Sequence, residues 1–463
     1  MLAFFRTSIL TTAYLLTCAT FYPLTSSAAQ APISQISASI EAAMKSAYPV
    51  DGPGASIIVV HRGQLLYRGS QGVANLELKV PLQPESVFRI GSLTKQFTAA
   101  AILLLAHEGK LSLNDSVSKY LPTLACCEAV RIEHLLAHTS GIPNYTELPE
   151  WASTIRHDVS ADDLISLFKD RSLEFPPGEQ WKYSNSGYVL LGAIIEKVSG
   201  RSYADFMRAR LFEPLGMKAT RYDDSKQILS GRASGYSPDR DRWMNADYLS
   251  MSQPYAAGGL VSTVDDLAIW NQAREFEKLL PAESWNDADS SFQLTDGTST
   301  RYAAGWIVGR IGSLETREHG GGINGFNAYI LRVPSESLYI AVLANAAPPR
   351  TPPQQLALQL ATRVLGVSLD TPEISLGADR LNEYVGVYVT ANGSTRSVTL
   401  KGTQLELREA EDSPLALTPI AEDLFEARAN HSRVSFLRNA KNVSGMRVEP
   451  RMLMGDRTPA KRR

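Results

Sequence analysis

Strand-forming runs at both ends of a helical middle constrain the fold of this 463-residue chain more than any other feature. Ala55 to Val60 and Gln64 to Arg68 are β-favouring and flank His61-Arg62-Gly63, so they read as a hairpin. Such runs return at Trp306 to Ile311, Asn327 to Val333 and Leu338 to Ala344. Between the two groups, residues 97 to 275 are largely helical with Pro- and Gly-rich loops. Helices are expected at Ile33 to Ala47, packing on the sheet edge, and at Thr351 to Leu365. This order implies an α+β fold, an antiparallel sheet flanked by helices and completed by both ends of the domain, with a helical subdomain.

Ser92 and Lys95 form an S-x-x-K motif where the apolar helix Phe97 to Leu105 begins. Positions i and i+3 share a helix face, so hydroxyl and amine can meet. A serine is a weak nucleophile until a base takes its proton, and a lysine of lowered pKa can be that base. The motif recurs at Ser116–Lys119, in a polar loop, and at Ser166–Lys169, in an ordinary amphipathic helix. Ser92 differs because a β-favouring run and a glycine precede it, which sets the hydroxyl at a helix N-terminus and its dipole.

Tyr183-Ser184-Asn185 follows the turn signal Phe175-Pro176-Pro177-Gly178 and precedes the helical run Gly187 to Val198. A phenol near a lysine amine can exchange protons, and an asparagine amide can hold a substrate carbonyl. His319-Gly320-Gly321 opens a glycine-rich run after both other motifs, unlike the H-x-G matches at His61 and His107. Glycines there let backbone approach a substrate and point an N–H at a developing oxyanion.

In this order the three motifs resemble those of the serine β-lactamase and penicillin-binding superfamily, in its class C and DD-peptidase branch. The likeness extends to Leu135-Leu136-Ala137-His138-Thr139-Ser140-Gly141-Ile142, Leu211 to Met217 and Ala257-Gly258-Gly259, and covers residues 35 to 370. The resemblance implies Ser92 as acylated nucleophile, Lys95 as its proton acceptor and Tyr183 as partner base or acid. It implies Asn185, His319 and Gly321 as substrate-binding, with the backbone N–H groups of Ser92 and Gly322 as oxyanion hole. His319 stands where class C β-lactamases have lysine, which implies a weaker, pH-dependent positive charge near a substrate carboxylate. The implied function is a serine hydrolase acting through an acyl-enzyme on peptide, amide or ester bonds. D-alanyl-D-alanine carboxypeptidase or D-aminopeptidase-like activity leads, peptidoglycan fragments being candidate substrates. A β-lactamase, a carboxylesterase or a non-catalytic binding homologue are the alternatives. No cofactor or metal is implied.

Residues 1–29 read as a signal peptide, with Arg6, a short apolar stretch from Ile9 to Phe21 and small residues before Gln30. That stretch is short of the roughly 20 residues a span needs, so a periplasmic or secreted protein is expected. A net charge of −2 gives no electrostatic footprint for nucleic acid. Cys126 and Cys127 are adjacent, and Cα atoms about 3.8 Å apart fall below the usual disulfide range, so two thiols near the surface are expected. His134 and His138, four apart on an expected helix, have no obvious third ligand and read as structural. The large domain is expected over 30–370, with a linker at 371–377 and a tail at 456–463 expected to be disordered. Residues 378–455 alternate β-favouring runs with turns, one of them at Asn392-Gly393, and read as a small all-β barrel or sandwich. The opening Tyr384-Val385-Gly386-Val387-Tyr388 resembles the lipocalin-like module attached to some members of the superfamily.

Overall fold

Seven antiparallel strands make the central sheet of the protein, in the order Tyr302–Ala303, Trp306–Ile311, Leu314–Ile323, Phe326–Val333, Leu338–Ala344, Ala55–His61, Gln64–Gln71. The first strands of the chain therefore pair with the last strand of the large domain, Ala55 opposite Ala344 and His61 opposite Leu338. The structure is a computed structural model that describes residues 32–124, 127–275, 277–390, 393–409, 413–449 and 460–462. The signal-peptide reading, Cys126 and Asn392 lie outside the described residues.

Both sheet faces are covered, and the period-two alternation of strand side chains shows it. Ile57, Val59, Ile340 and Val342 pack under the helices Ile33–Ala47 and Pro353–Leu365. Ile58, Ala341, Leu343 and Ile330 face the other way, into the main core around the helix Thr94–His107. That helix is buried from Thr94 through Leu105. Its near-continuous apolar sequence suits an element with no solvent face. Among the described residues, no helix is long and apolar enough to cross a membrane.

The structure adds elements that the sequence reading does not contain. The strand Leu314–Ile323 carries His319 and lies in mid-sheet, although its Gly320-Gly321-Gly322 run lacks β-formers. Cys127 is fully buried in the main core with Val117, Leu124 and Val130, rather than near the surface as expected. The C-terminal module is a closed eight-stranded barrel. Residues 460–462, expected within a disordered tail, form its last strand and pair with both Gly386–Thr390 and Asn442–Glu449. Without that strand both partners would present open edges, and closure satisfies them. The barrel interior is filled by Tyr384, Tyr388, Leu407, Phe425, Phe436 and Met446. Ring centroids of Tyr384, Phe425 and Phe436 lie 4.6–5.5 Å apart. An eight-stranded barrel has an interior of the width that side chains can fill.

Candidate active site

The site begins where the chain turns from the strand Phe88–Arg89 into the Lys95 helix. Gly91 takes φ +50°, and Gly91–Leu93 form one 3₁₀ turn leading into Thr94. The His319 strand passes tightly against this turn. A Cβ on Gly321 would lie 2.0 Å from the Ile90 carbonyl oxygen, and one on Gly91 would lie 2.9 Å from that of Gly322. Glycine at both positions brings the Gly322 backbone beside Ser92.

Lys95 is fully buried and, among the described residues, no carboxylate pairs with it. Its Nζ lies 2.8 Å from Asn185 Oδ1, 2.9 Å from the Ala257 carbonyl oxygen and 3.2 Å from Ser92 Oγ. Burial drives its pKa well below the ordinary lysine range. A neutral amine has two N–H donors and one lone pair. The two acceptors occupy the donors, which leaves the lone pair for the Ser92 hydroxyl.

Tyr183 lies over the same amine, its ring centroid 4.8 Å from Nζ. Burial pushes its phenol above the ordinary value, and its hydrogen bond with Ser92 opposes that rise. Asn185 opens the helix Asn185–Ser199, its backbone N–H donating to Asn144 Oδ1 at 3.0 Å. Its Oδ1 is held by Lys95, and its Nδ2 donates to Thr146 Oγ1 at 3.2 Å. The three motifs therefore converge on one point from a helix, a turn and a strand.

His319 has a partner at each ring nitrogen. It is buried, and its Nδ1 lies 2.6 Å from the Gly320 carbonyl oxygen. A carbonyl only accepts, so Nδ1 carries the proton. Nε2 is then free to accept from the Tyr302 hydroxyl at 2.9 Å. The pKa of His319 is lowered from 6.5 to about 4, chiefly by desolvation. The expected pH-dependent positive charge is thus absent near neutrality, because both ring nitrogens are spent and burial penalises the cation. The cation next to Tyr183, Lys182, is held by Glu174 at 2.7 Å and Glu147 at 3.3 Å.

Two residues here were missed as parts of the site. His138 follows the helix Ile132–Ala137 in the left-handed region, φ 59°, and stacks on Tyr183 with centroids 4.2 Å apart. Its Nδ1 accepts the Ser184 N–H at 3.2 Å, which fixes the backbone beside Tyr183. His138 lies in a stretch that carries the family resemblance, and that was the available signal. Tyr302 had none beyond standing at the start of the late strands. Among the described residues, no group of three metal-capable side chains forms.

A recess of about 440 Å³ adjoins Gly322, lined by Ser237, Asp247, Ile323, Asn324 and Ala347. A larger cleft of about 610 Å³ lies between the large domain and the barrel, and Ser92, Lys95 and Tyr183 do not line it.

The family model described as Beta-lactamase matches residues 41–363. Penicillin-binding protein 4* of Bacillus subtilis (strain 168) is 32% identical over 412 residues, 82% of this chain and 89% of that protein. The octameric penicillin-binding protein homologue from Pyrococcus abyssi superposes with TM-score 0.62 at 27% identity, over 93% of this chain and 100% of that chain. A D-stereospecific amidohydrolase from Streptomyces sp. superposes with TM-score 0.61 at 26% identity, over 72% of this chain and 99% of that chain.

Proposed function

From the premise that this chain belongs to the serine β-lactamase and penicillin-binding superfamily of hydrolases, we propose that it hydrolyses amide, peptide or ester bonds through an acyl-enzyme on Ser92. The observation that carries the proposal is the Lys95 amine, 3.2 Å from Ser92 Oγ with its other two contacts both acceptors.

In the acylation step Ser92 Oγ attacks the substrate carbonyl carbon and its proton passes to Lys95 Nζ. The Ser92 and Gly322 backbone N–H groups receive the oxyanion. Collapse of the tetrahedral intermediate breaks the bond to the leaving amine or alcohol. The protonated Tyr183 phenol relays a proton to that group and is restored from Lys95. Water then attacks the Ser92 ester with the proton path reversed, releasing the acid. A phenol whose pKa is raised by burial suits a proton donor, so the base is assigned to Lys95.

The substrate is proposed to carry a D-residue on the acyl side, in line with the D-stereospecific amidohydrolase among the similar structures. Of the two leading activities, the neutral His319 favours the D-aminopeptidase-like one over a carboxypeptidase reading a terminal carboxylate. The protein is further proposed to be exported, with Gln30 as the first mature residue; N-terminal sequencing of the secreted form tests this directly.

Turnover of D-alanine p-nitroanilide, a D-Ala-D-Ala peptide, p-nitrophenyl butyrate and nitrocefin, with Ser92→Ala as blank, tests the activity. Ser92-dependent cleavage led by the anilide is expected. Dominant nitrocefin turnover would make it a β-lactamase, and ester turnover alone an esterase.

A further inference from the structure

Tyr302 occupies an unusual position for a residue outside the three motifs. It is fully buried on the edge strand Tyr302–Ala303, and its hydroxyl meets a side chain of the site. Its ring also packs on His138, with centroids 4.6 Å apart, and its plane is steeply inclined to that of His319. The phenol is held protonated, because burial raises its pKa well above the ordinary value. A protonated phenol can donate to Nε2, and the Gly320 carbonyl has already fixed the other ring proton on Nδ1.

We propose that the Tyr302 hydroxyl is a specificity-determining group. By donating to Nε2 it occupies the ring nitrogen that would otherwise face a substrate and, together with burial, keeps His319 a neutral imidazole, so the site favours leaving groups without charge over leaving groups bearing a free carboxylate. The inference rests on the acyl-enzyme reading above and deepens it.

Among the described residues, four titratable groups from separate elements face His319. They are Lys95 from its helix, His138 from the segment after Ile132–Ala137, Tyr183 from the turn before Asn185, and Tyr302 from the edge strand. None of them is a carboxylate that would hold an imidazolium in place. Removal of the Tyr302 hydroxyl leaves the Nε2 lone pair without a donor. A proton taken up there turns the group into a cationic donor, able to make a charge-assisted hydrogen bond to a carboxylate.

The test uses phenyl and 3-carboxyphenyl esters of N-acetyl-D-alanine, which share an acyl group and differ in leaving-group charge. Their kcat/KM ratio is measured from pH 5 to 8 in the full-length protein and in Tyr302→Phe, with Ser92→Ala as blank. In the parent the ratio favours the uncharged ester and stays flat with pH. In Tyr302→Phe it moves toward the carboxylate ester as pH falls, by about ten-fold, the yield of one charge-assisted hydrogen bond. A Tyr302→Phe ratio that parallels the parent at every pH overturns the proposal. Ester turnover persisting in Ser92→Ala would instead sink the acyl-enzyme reading. Nitrogen NMR of His319 in the parent supplies a readout independent of any variant. A neutral Nδ1–H tautomer at pH 7 is expected, and an imidazolium there overturns the inference.

Discussion

A buried lysine without a carboxylate partner is stable only as the free amine, because a desolvated ammonium is costly. Lys95 meets that condition, so its protonation state is tied to its surroundings rather than to bulk pH. Activity should therefore rise with pH to a plateau that begins well below the ordinary lysine pKa. A pH profile of kcat/KM on p-nitrophenyl butyrate checks this, and activity rising only near pH 10 would contradict it. Lys95→Met should lower acylation on the order of 10²–10⁴-fold, the usual contribution of a positioned base. His319 supplies a stability prediction of the same origin. Its folded pKa of about 4 lies below the unfolded 6.5, so the unfolded chain binds more protons between those values. Stability is complete above pH 6.5 and is lost as pH falls toward 4, by roughly 3 kcal/mol from this group. Denaturant unfolding across that window should show the loss, and His319→Gln should make it shallower without abolishing it, since burial also depresses His134 and His138. That Ser92, Lys95, Tyr183, Asn185 and His319 belong to one cluster could be read from motif order and context, which separate them from chance matches, and the fold brings them together. The charge of His319 could not be read there, since it depends on a tyrosine 17 residues away in sequence and on burial.

At the scale of elements, the decisive contact is a strand pressed against a turn. Gly321 faces the Ile90 carbonyl with no room for a side chain, whereas a Cβ on Gly322 would meet nothing within 4 Å. Gly321→Ala should cost about 1–3 kcal/mol of overpacking. It should also reduce kcat by about 10²–10³-fold by moving the Gly322 N–H off the oxyanion. Gly322→Ala should leave thermal stability close to that of the parent, and calorimetry of the pair distinguishes the two sites. The same glycines explain what the sequence concealed. Val, Ile and aromatic residues marked the neighbouring strands, while Leu314–Ile323 buys close approach with glycines that erase its strand signature. The helix Ile33–Ala47 was legible to its ends, and in the structure its apolar residues Ile36, Ile40, Ala43, Met44 and Ala47 make one buried face.

At the scale of the molecule, the barrel has its own apolar core and meets the large domain through polar contacts. Arg447 donates to Thr298 Oγ1 at 3.2 Å, and Arg301 faces Glu449 at 3.9 Å. Separate cores joined by a polar surface should unfold as separable units. Phe425→Ala should destabilise the barrel transition by about 3–5 kcal/mol and leave that of the large domain in place. A single calorimetric transition shifted as a whole would show instead that the two cores are coupled. The barrel could be read from alternating strand runs, but its closure could not, since the last strand is only three residues long. The central claim, that chemistry passes through an ester on Ser92, is tested most directly by intact-protein mass spectrometry after rapid acid quench of a turnover reaction. The account predicts a mass increase equal to the acyl group, mapped by proteolysis to the peptide containing Ser92 and absent from Ser92→Ala. Turnover with no adduct on Ser92, or an adduct that survives in Ser92→Ala, would contradict it.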